Sequence, residues 1–294
     1  PLTLLAVGLS SAMEEYGVAP VNLRTLVPGL SLYAILAVAF SWLGIGSMRA
    51  RRWVRPIVLV LSWLWLAVGV VAMVFVVFMS PAVYEEMAAG GAFPAEAVVA
   101  VRLVVVLVLT CLYILLPGTL VLFYRSDDVR ATLEARDRQI RWTDTCPSHI
   151  LSLCVLYLLT AYFVVLTPLY GLVVPVFGSV LSGLPAALVL LVSLVLCGYL
   201  TWGTLRRDVA AWWISMVAAT VATVSFSWTL LSVGMTELYS RLQLPDEQLL
   251  LVRQYGLESN TLMLVLTIVT WAFFVAYMAY ARRFFHARAG GPED

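Results

Sequence analysis

A chain of 294 residues is long enough for one or two water-soluble domains, but 62% hydrophobic and 12% charged residues exclude them; a soluble surface needs about twice that charge to cover it. Eighteen basic against seventeen acidic residues leave a net charge of +1, so no basic excess points to nucleic acid. Every basic residue is Arg, which removes chemistry that needs a lysine Schiff base or a lysine general base.

The mean hydropathy of +0.96 makes this a polytopic membrane protein. The chain opens on PLTLLAVGLSSAM, apolar but too short to cross a bilayer alone. It reads as the tail of a spanning helix begun before Pro1, with a signal-peptide remnant or a surface segment as alternatives; residues 1–28 are expected outside. Seven runs of about 20 mostly apolar residues follow, at 29–48, 57–79, 101–123, 149–174, 184–204, 211–235 and 259–281. Backbone polar groups in lipid must be satisfied within the segment, so each run predicts a spanning helix, and no barrel-type alternation competes.

Arginine sets the expected orientation. Fourteen of the eighteen lie in alternate junctions: Arg49, Arg51, Arg52 and Arg55; Arg125, Arg130, Arg136, Arg138 and Arg141; Arg206 and Arg207; Arg282, Arg283 and Arg288. Arg24, Arg102, Arg241 and Arg253 fall on the other side. Positive residues are retained in the cytoplasm, so the carboxyl terminus is expected inside, in a plasma or inner membrane. The opposite junctions lean acidic, with Glu14, Glu15, Glu85, Glu86, Glu96, Glu237, Asp246, Glu247 and Glu258. Tryptophans such as Trp42, Trp53, Trp202, Trp212 and Trp213 gather near span ends, as interfacial belts do.

Residues 124–147 form the most polar stretch. Ser126 or Asp127 suits a helix cap, and Arg130–Glu134 and Glu134–Arg138 are i,i+4 pairs. Val129, Leu133 and Ile140 lie near one side, which suits a helix in the headgroup region. Read plainly, this is a solvated cytoplasmic connector; read more sharply, Arg130, Glu134, Arg138 and Arg141 form a docking surface. Residues 244–256 carry helix punctuation on the external side: Pro245, Asp246 and Glu247 early, Arg253 and Gly256 late. Pro117-Gly118 predicts a kink in the third span. The uncharged stretch from Thr167 to Leu184 is either an overrunning fourth span, the preferred reading, or a loop that dips back into the membrane.

In the sixth span Ser215, Ala218, Ala222, Ser225, Thr229, Ser232 and Thr236 recur every three or four residues. Such a stripe is either a packing seam, because small residues let helices approach, or a hydroxyl-lined path for a neutral solute. The middles of all seven runs lack Asp, Glu, Arg and His, which speaks against ion-coupled transport and voltage sensing. The last run has no Lys for a retinal Schiff base, and His149 and His286 are not placed to pair on a haem. Asp144, Cys146 and His149 are close in DTCPSH, but a metal site would need further ligands, and a helix start capped by Asp144 or Thr145 with Pro147 in its first turn is the commoner explanation. No hydrolase, metalloprotease, diphosphate or P-loop motif occurs, so no catalytic residue, metal or cofactor is assigned.

The expected architecture is an all-α transmembrane bundle of seven spanning helices, or eight if residues before Pro1 complete another. The bundle covers 29–281, with a helical cytoplasmic loop at 124–147, an external helix at 244–256 and a cytoplasmic tail at 282–294. Its partners are the lipid bilayer and another membrane protein or a second copy. Two functions follow: a non-catalytic subunit or scaffold in a membrane assembly, and a channel or facilitator for a neutral or lipid-like solute. An interfacial acyl transferase using His149 is a distant third.

Overall fold

The computed structural model describes residues 23–89, 95–139, 141–242, 252 and 259–285. Its helices are α1 (Leu23–Met48), α2 (Val54–Ala89), α3 (Ala95–Thr110), α4 (Leu116–Arg125), α5 (Asp127–Arg136), α6 (Trp142–Thr145), α7 (Ser148–Leu166), α8 (Leu184–Leu205), α9 (Val209–Ser232), α10 (Met235–Arg241) and α11 (Asn260–Phe285). Strands β1 (Val173–Val176) and β2 (Ser179–Ser182) lie between α7 and α8. Seven helical stretches are long and apolar enough to cross a membrane: α1, α2, α3 with α4, α7, α8, α9 and α11. The fold is thus an all-α polytopic bundle. Residues 1–22, the external helix expected at 244–256 apart from Val252, and the tail beyond Phe285 lie outside the described residues.

The helices pack pairwise: α2 along α4, α7 along α8 and α9 along α11, with α2 also against α7. Where α7, α8, α9 and α11 converge at the arginine-bearing end, Ile150, Leu153, Tyr157, Leu200, Trp212, Met278, Ala281 and Phe285 form one core. A second core, Leu43, Trp53, Val54 and Tyr124, joins α1, α2 and α4 at the same end. At the opposite end Val173, Leu230, Met235 and Leu238 form a third. Most other large apolar side chains face outward, as they must in a lipid solvent.

The third span is not α-helical throughout. Cys111–Leu115 is π-helical, with the Leu116 N–H bonded to the Cys111 carbonyl. Pro117 has no N–H to offer the Tyr113 carbonyl one turn back. Gly69 of α2 approaches that carbonyl; a Cβ there would collide with the Tyr113 oxygen and come within 2.9 Å of the Tyr113 Cβ. Only bare backbone fits at Gly69, so α2 and the π-helical turn approach closely there.

The fourth span does not overrun. α7 stops at Leu166 and a 3-10 turn over Thr167–Tyr170 follows, with Pro168 in its first positions. Gly171 (φ 108°) and Leu172 (φ 48°) then reverse the backbone, and the chain forms an antiparallel hairpin rather than more helix. Val176 pairs with Ser179, leaving the two-residue turn Phe177-Gly178 at φ 41° and 79°, the signs a type I′ turn requires. Pro175 opposes Val180 at the next pair, where antiparallel geometry makes no ladder bond, so its missing N–H costs the hairpin nothing.

Candidate functional site

At the arginine-bearing end, α5 and α6 form a platform tied to the turn between α1 and α2. Ser126 caps α5, its hydroxyl accepting from the Val129 N–H at 3.3 Å. Asp127 and Asp128 occupy the first turn and Arg136 the last, as the helix dipole favours. Leu133 is buried, and Val129 packs on the core of Leu43, Trp53, Val54 and Tyr124.

Ion pairs hold the platform in place. Arg130 Nε lies 2.9 Å from Glu134 Oε1, the expected i,i+4 pair. Glu134 does not meet Arg138, which lies beyond the end of α5 at Arg136; its second partner is Arg52, 3.5 Å away. Arg52 also lies 3.9 Å from Asp144 and so clamps α5 and α6 together. Asp137, buried, accepts from the Arg52 N–H at 3.3 Å and lies 3.9 Å from Arg51. Arg55 Nε donates to the Tyr124 carbonyl at 2.9 Å, and Ser47 Oγ meets Tyr124 OH at 2.5 Å. The Arg130 hydrogen bond holds the Glu134 carboxyl below its ordinary range, and the Glu134 bond raises Arg130 in turn. Of the four residues expected to dock a partner, Arg130 and Glu134 are therefore engaged with each other. Arg138 is exposed, and the Arg141 N–H donates to Asp144 Oδ2 at 2.9 Å. Residue spacing could not reveal Arg51, Arg52, Arg55, Asp137 and Asp144 as members of this network, because their partners come from a distant loop.

Asp144 thus closes the short helix α6 and does not cap α7, which starts at Ser148 with Pro147 just before it. Burial pushes the Cys146 thiol up, with Arg207 partly offsetting it. His149 packs among Tyr277, Tyr280 and Phe284, stacked on Phe284 at a centroid distance of 5.1 Å. Among the described residues no group of three or more His, Cys, Asp or Glu side chains is disposed to hold a metal. Arginine–aromatic contacts complete this end, with Arg206 over Trp202 at 4.0 Å and Arg283 over Tyr280 at 4.0 Å.

Members of the α9 stripe meet different surroundings. Ser215 is buried and its hydroxyl bonds Tyr157 OH at 2.6 Å. Ser225 and Thr229 are buried under the hairpin tip: the Phe177 N–H donates to Ser225 Oγ at 3.0 Å and the Gly178 N–H to Thr229 Oγ1 at 3.1 Å. Those turn donors have no partner within the hairpin, so helix hydroxyls satisfy them. Gly178 is required twice over, by its φ and because a Cβ would lie 2.8 Å from the Trp228 ring. Ala218 is half-buried, and Ala222, Ser232 and Thr236 are exposed. Beside the stripe, a groove of about 500 Å³ runs between α9 and α11, lined by Thr220, Thr223, Ser227, Trp228, Ser232 and Trp271.

These features define a multi-pass membrane protein of the helix-bundle class, in contact with the lipid bilayer. Comparison with known protein families, curated proteins and solved structures finds no match.

Proposed function

We propose that the protein is a non-catalytic subunit of a membrane assembly, with its arginine-bearing end in the cytoplasm and the α5–α6 platform as its docking surface. One observation carries this reading: the longest polar segment is folded and clamped. Arg52 bridges Glu134 and Asp144 while Arg136, Arg138 and Trp142 remain on the exposed side. A connector needs no such rigidity, whereas a recognition surface gains affinity when it is ordered beforehand. Exposed Arg and Trp side chains are also the types enriched where protein interfaces carry most of their energy.

The test is photocrosslinking from position 142 in native membranes, followed by purification in mild detergent. A discrete adduct that disappears in the Arg136→Glu/Arg138→Glu variant is expected. A clean monomer with no adduct would overturn the reading.

A facilitator for a lipid-like solute draws its support from the groove between α9 and α11, where the Ser227 hydroxyl is buried without a hydrogen-bond partner among the described residues. The stripe itself supports packing, since the Ser215, Ser225 and Thr229 hydroxyls are all engaged.

A further inference from the structure

A cavity of about 290 Å³ lies where α2, α5 and α7 meet at the arginine-bearing end. Arg52, Arg55, Arg130, Glu134, Asp144 and Ser148 line it, with apolar atoms of Pro56, Leu59 and Leu133. Three grooves elsewhere among the described residues are dominated by apolar side chains, as expected of grooves that lipid tails fill. This one is polar, and its charges do not cancel.

Glu134 is matched by Arg130 and Arg52, and Asp144 by Arg52 and the Arg141 N–H. Arg55 is left over. Its Nε is fixed on the Tyr124 carbonyl, and among the described residues its two terminal nitrogens have no hydrogen-bond or ion-pair partner. A guanidinium anchored through Nε still presents the N–H pair that binds a planar or tetrahedral oxyanion through two parallel bonds. Glu134 and Asp127 act on Arg55 only at longer range and Arg130 opposes them, so a half-buried guanidinium whose terminal nitrogens make no hydrogen bond would gain from an anion that meets them directly. Ser148 brings a hydroxyl to the same cavity.

We propose that this cavity binds a single phosphate group, with the Arg55 fork as its main ligand and Arg52, Arg130 and Ser148 around it. The volume is that of about ten water molecules in the liquid, enough for a phosphate with a small polar substituent. The site lies at the end of α2, where a spanning helix meets the headgroup layer, so an anionic phospholipid is one source and free phosphate the other. This inference does not depend on the docking reading.

The full chain, purified in neutral detergent, is titrated separately with phosphatidylglycerol and with inorganic phosphate, and each is followed by thermal shift and native mass spectrometry. Saturable stabilisation by phosphatidylglycerol, with retained lipid and no effect of inorganic phosphate, assigns a headgroup. Stabilisation by inorganic phosphate alone, in competition with the lipid, assigns the free anion; either result supports the site. Arg55→Gln is expected to weaken binding about tenfold, from the loss of a charge-assisted pair, whereas Arg136→Gln, on the same platform but outside the cavity, leaves it unchanged. No binding of either probe to the wild-type chain overturns the proposal whether or not the Arg55 variant folds. So does an equal loss in both variants, which would mean diffuse attraction.

Discussion

Removing the hydroxyls under the hairpin tip tests how non-helical backbone is accommodated in this bundle. Ser225→Ala and Thr229→Val each delete the acceptor of one turn N–H while nearly preserving side-chain volume. A buried donor left unpaired costs about 1–3 kcal/mol in soluble proteins. Polar contacts between membrane helices average about 0.6 kcal/mol, because the unfolded chain in lipid finds other partners. Ser225 lies seven residues before the end of α9, about 10 Å along the helix. That depth between lipid and water justifies about 1 kcal/mol for each bond. Exchange at the 177–178 amides should then accelerate about fivefold in each single variant and about thirtyfold in the double. The assay is hydrogen–deuterium exchange in lipid nanodiscs, read on peptides covering 173–182. Thr160→Val is the control, since that hydroxyl bonds only the Leu156 carbonyl of its own helix. Unchanged exchange in the double variant, or equal acceleration in the control, would refute the reasoning.

Three further outcomes follow from other contacts. Gly69→Ala forces a Cβ into the Tyr113 backbone and should cost about 1–3 kcal/mol, the usual range for overpacking, measured as a lowered thermal midpoint in detergent. Tyr157→Phe strands the buried Ser215 hydroxyl and should destabilise by about 1–3 kcal/mol, whereas Tyr157→Phe/Ser215→Ala should recover much of that; equal losses would mean the bond contributes nothing. The Glu134 carboxyl sits below its unfolded value, so its contribution is present above that value and is lost as pH falls through the folded one. Arginine-specific proteolysis within α5 should therefore accelerate toward acid pH in the wild type, and Glu134→Gln should be cleaved faster at neutral pH with a flatter acid dependence.

The spanning helices could be read from residue order alone because lipid imposes one requirement on every turn, and the apolar runs ended within a few residues of α1, α8 and α9. Pro117 marked where the third span departs from α-helix, since a missing donor acts on its own helix, but the π-helical form of Cys111–Leu115 was not readable. The hairpin was not. Its Val-rich strands have the composition of a continuing span, and Phe177-Gly178 lacks the Asn-Gly or Asp-Gly signature of a tight turn. Regular spacing exposed the stripe of α9, but spacing cannot say that a hairpin covers Ser225 and Thr229 while Tyr157 takes Ser215. Nor could it show the clamp on the platform. The Arg130–Glu134 pair lies within one helix, whereas Arg52 reaches Asp137 across 85 positions of chain, and only the packed bundle brings them together.

The most direct measurement is thiol labelling in intact cells, with single cysteines placed in a cysteine-free chain at Arg136 on the platform and at Ser240 at the opposite end of the bundle. A membrane-impermeant maleimide should label position 240 at once and position 136 only after the membrane is opened. Labelling of both positions in intact cells, or of position 136 alone, would contradict a bundle that spans the bilayer with its arginine-bearing end in the cytoplasm.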